Sequence, residues 1–140
     1  MAIIQGPCDS FLKEAWQAIH DIEDDTIKIA LYGSSASLGP ETTAYTTTGE
    51  IVVSGYTAGG ATLSGKTLTV ANGILYADFS DVSWSGAFSA VQGALIYNSS
   101  KSNRAIWVLN FGLARSSTTT FTVRFPEPLN DRAIFRLRAR

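Results

Sequence analysis

The chain has 140 residues and a formal net charge of −1, with 16% charged and 45% hydrophobic residues. That length suits one domain that buries a core without staples. A single histidine and a single cysteine exclude an intrachain disulfide and zinc's usual four-ligand sets, and the balanced charge gives no global field for nucleic acid. Mean hydropathy is +0.09, which points either to a surface partly covered by a partner or to a tight β-sandwich with threonine on its outer faces.

Residues 1–8 read as an N-terminal arm. Ile3 and Ile4 are apolar, and Gly6-Pro7 separates them from the rest of the chain, so they are expected to bury against another chain. The stretch MAIIQGPCDS has neither the basic start nor the long apolar middle of a signal peptide, and no apolar run is long enough to span a membrane. Cys8 is expected to be a buried, inert thiol.

Residues 9–140 are expected to form one domain, a helix plus a β-sandwich. The helix is predicted over 9–23, capped by Asp9 or Ser10. Leu12, Ala15, Trp16, Ile19 and Ile22 recur at the spacing of one helical face, with Lys13, Glu14, Gln17 and Asp21 on the other. Phe11, at the helix start, joins the residues expected at a partner interface. His20 reads as a solvated histidine beside the polar edge. Asp21, Glu23, Asp24 and Asp25 read as a solvated helix end, since acidic groups oppose the dipole there and the spacing is not that of a calcium loop.

From Thr26 the pattern switches to period two. Ile27, Ile29 and Leu31 alternate with Lys28, Ala30 and Tyr32. Further strands are predicted near 43–47, 50–54, 61–63, 67–71, 74–79, 88–98, 104–111, 119–125 and 133–138, with Asn72-Gly73 as a two-residue hairpin turn. Strands at this spacing predict a mainly β, single-domain antiparallel sandwich of jelly-roll type with one N-terminal helix.

No catalytic, cofactor or metal constellation is predicted. A triad would have to use His20 as its base. GGATLSGKT matches the phosphate-loop spacing with Gly60, Gly65, Lys66 and Thr67, yet strand-like flanks replace the helix that such a loop must open. Asp78 and Asp81 fit a turn better than the paired carboxylates of sugar chemistry. Trp107, in AIWVLNF, is expected in the core. Trp84, in the polar SDVSWSGAF, is the candidate for an exposed contact or a sugar-binding ring. Arg136, Arg138 and Arg140 alternate on one predicted strand face, where they guard a sheet edge, pair with a neighbouring subunit or bind nucleic acid.

The phrases IALYGSSASLG, TTAYTTTGE, GYTAGGATLSG and GALIYNSSKSNRAIWVLNFG resemble those of small virion proteins of tailed bacteriophages, over residues 26–112. The resemblance implies a structural, non-enzymatic role, located in the virion after assembly in the host cytoplasm. The expectation is a homo-oligomeric capsid cement or decoration protein that bridges major capsid protein subunits, without membrane or nucleic-acid contacts. A head–tail or tail component is the next reading, and a carbohydrate-binding or receptor-binding module the third. The expected interface residues are Ile3, Ile4, Phe11, Trp84, Arg136, Arg138 and Arg140.

Overall fold

The computed structural model describes residues 2–71 and 73–125 and the backbone of Phe135–Arg138. The protein is mainly β, with antiparallel sheets and, among the described residues, one α-helix. In chain order the elements are β1 (Gly6–Pro7), α1 (Asp9–Trp16), β2 (Ile27–Gly33), β3 (Ala61–Thr62), β4 (Thr67–Ala71), β5 (Ile74–Asp78), β6 (Val82–Ser85), β7 (Phe88–Asn98), β8 (Arg104–Ser117), β9 (Thr120–Val123) and β10 (Phe135–Arg138). They form a five-stranded sheet ordered β1-β8-β7-β2-β3, a three-stranded sheet β10-β5-β4 and a two-stranded sheet β6-β9.

The five-stranded sheet is apolar on both faces. Along β2, side chains alternate between the faces. Ile27, Ile29 and Leu31 join the main core with Ala77 of β5, Trp84 of β6 and Phe121 and Val123 of β9. Ala30 and Tyr32 enter a second core with Ile3, Cys8, Leu38 and Leu95. The smaller sheets cover one face, and the N-terminal segment with the loop after β2 covers the other.

That second cover corrects the reading of the arm. Ile3 is 7% exposed, and it makes an isolated bridge to Leu38. The Ile4 N–H donates to the Leu38 carbonyl at 2.8 Å, and Leu38 N–H to Ala2 at 3.0 Å. Gly6 and Pro7 then pair with Val108 and Trp107 of β8. Gly6–Pro7 of the arm is therefore an edge of the chain's own sheet, and Ile3 helps to cover that sheet's second apolar face, while Ile4 stays exposed.

The helix is also corrected. It ends at Trp16, not near residue 23, and Ala18 takes a left-handed φ of 59°. Its N-cap is Cys8, with no side-chain cap from Asp9 or Ser10. The face expected to pack outward from Glu14 is reversed: Glu14 is buried, while Trp16 is 93% and Leu12 42% exposed.

Two predicted strands, 43–47 and 50–54, are loops held by single bridges, Ala44 to Arg104 and Tyr32 to Glu50. The region around Trp84, where no strand was predicted, is strand β6, paired with β9. β8 runs on to Ser117. Ala71 pairs with Ile74, so a two-residue connection joins β4 and β5 as predicted; Asn72 itself lies outside the described residues.

Candidate functional site

The polar chemistry of this chain converges behind α1. Because the helix stops early, the chain turns back and brings His20 under Glu14. His20 Nε2 lies 2.9 Å from Glu14 Oε1, and Arg104 Nη1 of β8 donates to Glu14 Oε2 at 2.5 Å. On the other side of the ring, Asn98 Nδ2 stands 3.0 Å from His20 Nδ1 and donates to Asp25 Oδ2 at 2.7 Å. Asn98 Oδ1 accepts the Ser100 N–H at 3.0 Å, which fixes the amide. Nδ1 of His20 is then the acceptor and Nε2 carries the hydrogen given to Glu14.

Of the acidic cluster, Asp21, Glu23 and Asp24 are exposed as expected, although α1 ends well before them, and Asp25 is the exception. Asp25 is 8% exposed, takes Lys101 Nζ at 3.2 Å on Oδ1 and the Asp21 N–H at 3.0 Å on Oδ2. Asp21 in turn caps the N–H groups of Glu23 and Asp24, each at 3.1 Å. Burial opposes ionisation of Glu14, but the His20 and Arg104 hydrogen bonds outweigh it and hold its carboxyl below the usual value. Burial likewise opposes Asp25, and the Asn98, Asp21 and Lys101 hydrogen bonds hold it low.

This arrangement does not offer a base to a substrate. The His20 side chain is 1% exposed, tilted against Phe11 at a centroid distance of 5.1 Å, and both ring nitrogens are engaged. Cys8 is fully buried, and burial, helped by Asp9, Glu41 and Glu14, pushes its thiol up to about 12, far from thiolate reactivity. Among the described residues no group of three or more His, Cys, Asp or Glu is placed to hold a metal ion.

A second polar cluster pins the loops that failed to become strands. Glu50 accepts from Tyr45 Oη at 3.0 Å, Tyr56 Oη at 3.2 Å and the Gly59 N–H at 3.1 Å. Tyr32 Oη donates to Thr46 at 2.6 Å and Tyr97 Oη to Gly59 at 2.6 Å. Tyr45 stacks on Tyr97 at 4.8 Å. Burial pushes the Tyr45 and Tyr97 hydroxyls up to about 12 each, with Glu50 adding to it.

Lys66 donates to the Asp25 carbonyl, and Thr67–Ala71 is strand β4. A strand therefore stands where a phosphate loop requires a helix N-terminus. Asp81 accepts the Phe125 N–H at 2.8 Å and so ties the loop between β5 and β6 to the segment just after β9. A cleft of about 550 Å³ lies between β8 and β9, with Arg115, Thr120 and Arg124 among its lining. Ser116, Ser117 and Thr122 also line it, but they are already bonded to Ala90, to Phe88 and Gly86, and to Ser83.

Of the residues expected at an interface, Ile4 is 53% exposed, whereas Ile3 and Trp84 are each 7% exposed. Phe11 packs inward against both cores. Trp84 sits against Tyr56 at 6.0 Å and Phe121 at 6.4 Å, so it is a core ring and not a sugar platform. Trp107, expected in the core, is partly buried against it. Arg136 and Arg138 fall in β10, antiparallel to β5 opposite Tyr76 and Ile74, and Arg140 lies outside the described residues. Among the exposed apolar residues that sequence reasoning missed are Leu12 and Trp16, one turn apart on α1. No local signal marks them: Glu14 claims the inner face through Arg104, 90 positions away.

No family model, no curated protein and no solved structure matches the chain. No helix among the described residues is long and apolar enough to cross a membrane.

Proposed function

We propose that the chain is a structural virion protein of a tailed bacteriophage, a capsid cement or decoration protein that bridges major capsid protein subunits. In this reading it is a non-enzymatic, jelly-roll-type sandwich, assembled in the host cytoplasm and working as a homo-oligomer on the particle. The observation that carries it is the outward apolar face of α1. Trp16 is 93% exposed and Leu12 42%, on a helix whose inner face is fixed by Glu14. Large aromatic side chains held on a rigid element are the usual anchors of protein interfaces. The phrases that resemble small phage virion proteins supply the kind of partner. A head–tail or tail component is the alternative within the same class; the burial of Trp84 argues against the carbohydrate-binding one.

Purified virions test this. Gel densitometry should find the chain in amounts comparable with the major capsid protein, and Trp16→Ala protein should bind stripped heads more weakly while folding normally. A handful of copies per particle would assign it to the tail, and absence from the virion would end the reading.

A further inference from the structure

The edges of the sheets are not treated alike. β1 and β3 are two-residue edges, and β1 contains a proline. β10, one edge of the three-stranded sheet, carries Arg136 and Arg138 in its sequence. β8 beyond its pairing with β1 borders the cleft that holds Arg115 and Arg124. Short strands, proline and charge are the ordinary means of keeping an edge from pairing with another chain. The opposite edge of the three-stranded sheet has none of them. β4 is Thr-Leu-Thr-Val-Ala, without charge, proline or register shift. Among the described residues no strand pairs with its outer side.

The apolar residues of this hairpin are also uncovered. Val70 is 72%, Leu68 39% and Leu75 37% exposed. Val70 lies directly opposite Leu75, so these side chains share one face of the sheet.

We infer that β4 pairs with β4 of a second copy, antiparallel about a two-fold axis through Thr69. The geometry of the hairpin selects this register. A two-residue connection closes on a hydrogen-bonded pair, Ala71 with Ile74, and hydrogen-bonding sides alternate along a strand. Thr69 and Thr67 therefore turn their N–H and C=O groups towards β5. Leu68 and Val70 turn theirs outward. Antiparallel pairing about Thr69 sets Leu68 of each copy opposite Val70 of the other, so four outward backbone groups on each copy find partners. The same register joins Leu68 and Val70 of both copies in one apolar row and places Thr67 opposite Ala71. No charged side chain enters the paired stretch, and the sequence is complementary to itself, as a two-fold interface requires. A five-residue edge buries far less than the roughly 800 Å² per partner of a standard interface, so the dimer is weak in free solution and strengthened wherever copies are held side by side. The inference does not rest on the virion reading, because the association is a property of the isolated protein.

Sedimentation equilibrium of the full chain tests it first. The average mass should rise towards that of a dimer as concentration approaches millimolar. Leu68→Lys/Val70→Lys protein and Leu68→Glu/Val70→Glu protein should each stay monomeric and should associate when mixed. A cysteine scan fixes the register without depending on those variants folding. Thr69→Cys meets its own copy across a non-hydrogen-bonded pair, with Cα atoms about 4.5 Å apart, within disulfide reach. It should cross-link rapidly under mild oxidation. Thr67→Cys, opposite Ala71 of the other copy, should cross-link at least tenfold more slowly, and buried Cys8 should stay silent. A wild-type chain that remains monomeric at millimolar concentration would overturn the inference. So would a dimer unaffected by the lysine variant, or equal cross-linking at positions 67 and 69.

Discussion

Glu14 and His20 are six residues apart in the chain and meet at 2.9 Å because the helix ends between them. In a continued helix, residues six apart point to different sides. The left-handed Ala18, with φ 59°, reverses the chain instead, and the ring comes back beneath the carboxylate. That reversal joins α1 to β7 and β8 through Asn98 and Arg104.

Glu14→Gln should destabilise the fold more than Arg104→Ala. Hydrogen bonds to a charged group contribute about 1.5–3 kcal/mol each, and in Gln an NH2 group replaces one of the two oxygens that accept separately from His20 and Arg104. The Arg104 side chain is 43% exposed, so water screens its share and replaces it when it is lost. Urea unfolding of the two variants should give that order.

Acid should weaken the protein through Glu14 and Asp25. Both bind their protons less tightly in the folded state than in the unfolded one. Their stabilisation is therefore complete above the ordinary carboxylate value of about 4 and is lost as pH falls below it. Asp25→Asn should flatten the fall in melting temperature below that pH.

Alkali acts through the tyrosines with the opposite sign. Tyr45 and Tyr97 hold their protons up to about 12, against 10.0 when unfolded. The unfolded chain ionises first, so stability should fall progressively between about 10 and about 12. Tyr97→Phe, which cannot ionise but loses the hydrogen bond to Gly59, should be less stable at pH 7 and less sensitive to alkali.

The two tryptophans should part company. Trp84→Ala removes a core ring and should cost about 3–5 kcal/mol. Trp16→Ala should change stability by less than about 0.5 kcal/mol. Chemical denaturation followed by tyrosine and tryptophan fluorescence separates them.

Removing residues 1–7 should destabilise the domain rather than merely detach it from a partner. Gly93→Ala should do part of the same. A Cβ there would collide with the Leu109 carbonyl and stand 3.0 Å from Ile3, so the arm should lift and become sensitive to protease.

By itself, the sequence determined which segments favour strands. The alternation over Ile27–Tyr32, the hairpin chemistry at Asn72-Gly73 and the β-branched runs around β4, β5 and β7 all point to mainly β structure, because period and turn geometry are local properties. It also showed that one histidine and one cysteine exclude an intrachain disulfide and zinc's usual four-ligand sets. Which apolar residues would be covered was decided only in three dimensions. Ile3 and Trp84 were buried because both faces of the central sheet had to be roofed. Trp16 was left outside because Glu14, facing Arg104 from 90 positions away, took the inner side of the helix. The apolar spacing of α1 is the same whichever way the helix is turned; a partly buried ion pair between distant residues sets its rotation, and no window of local sequence contains both partners.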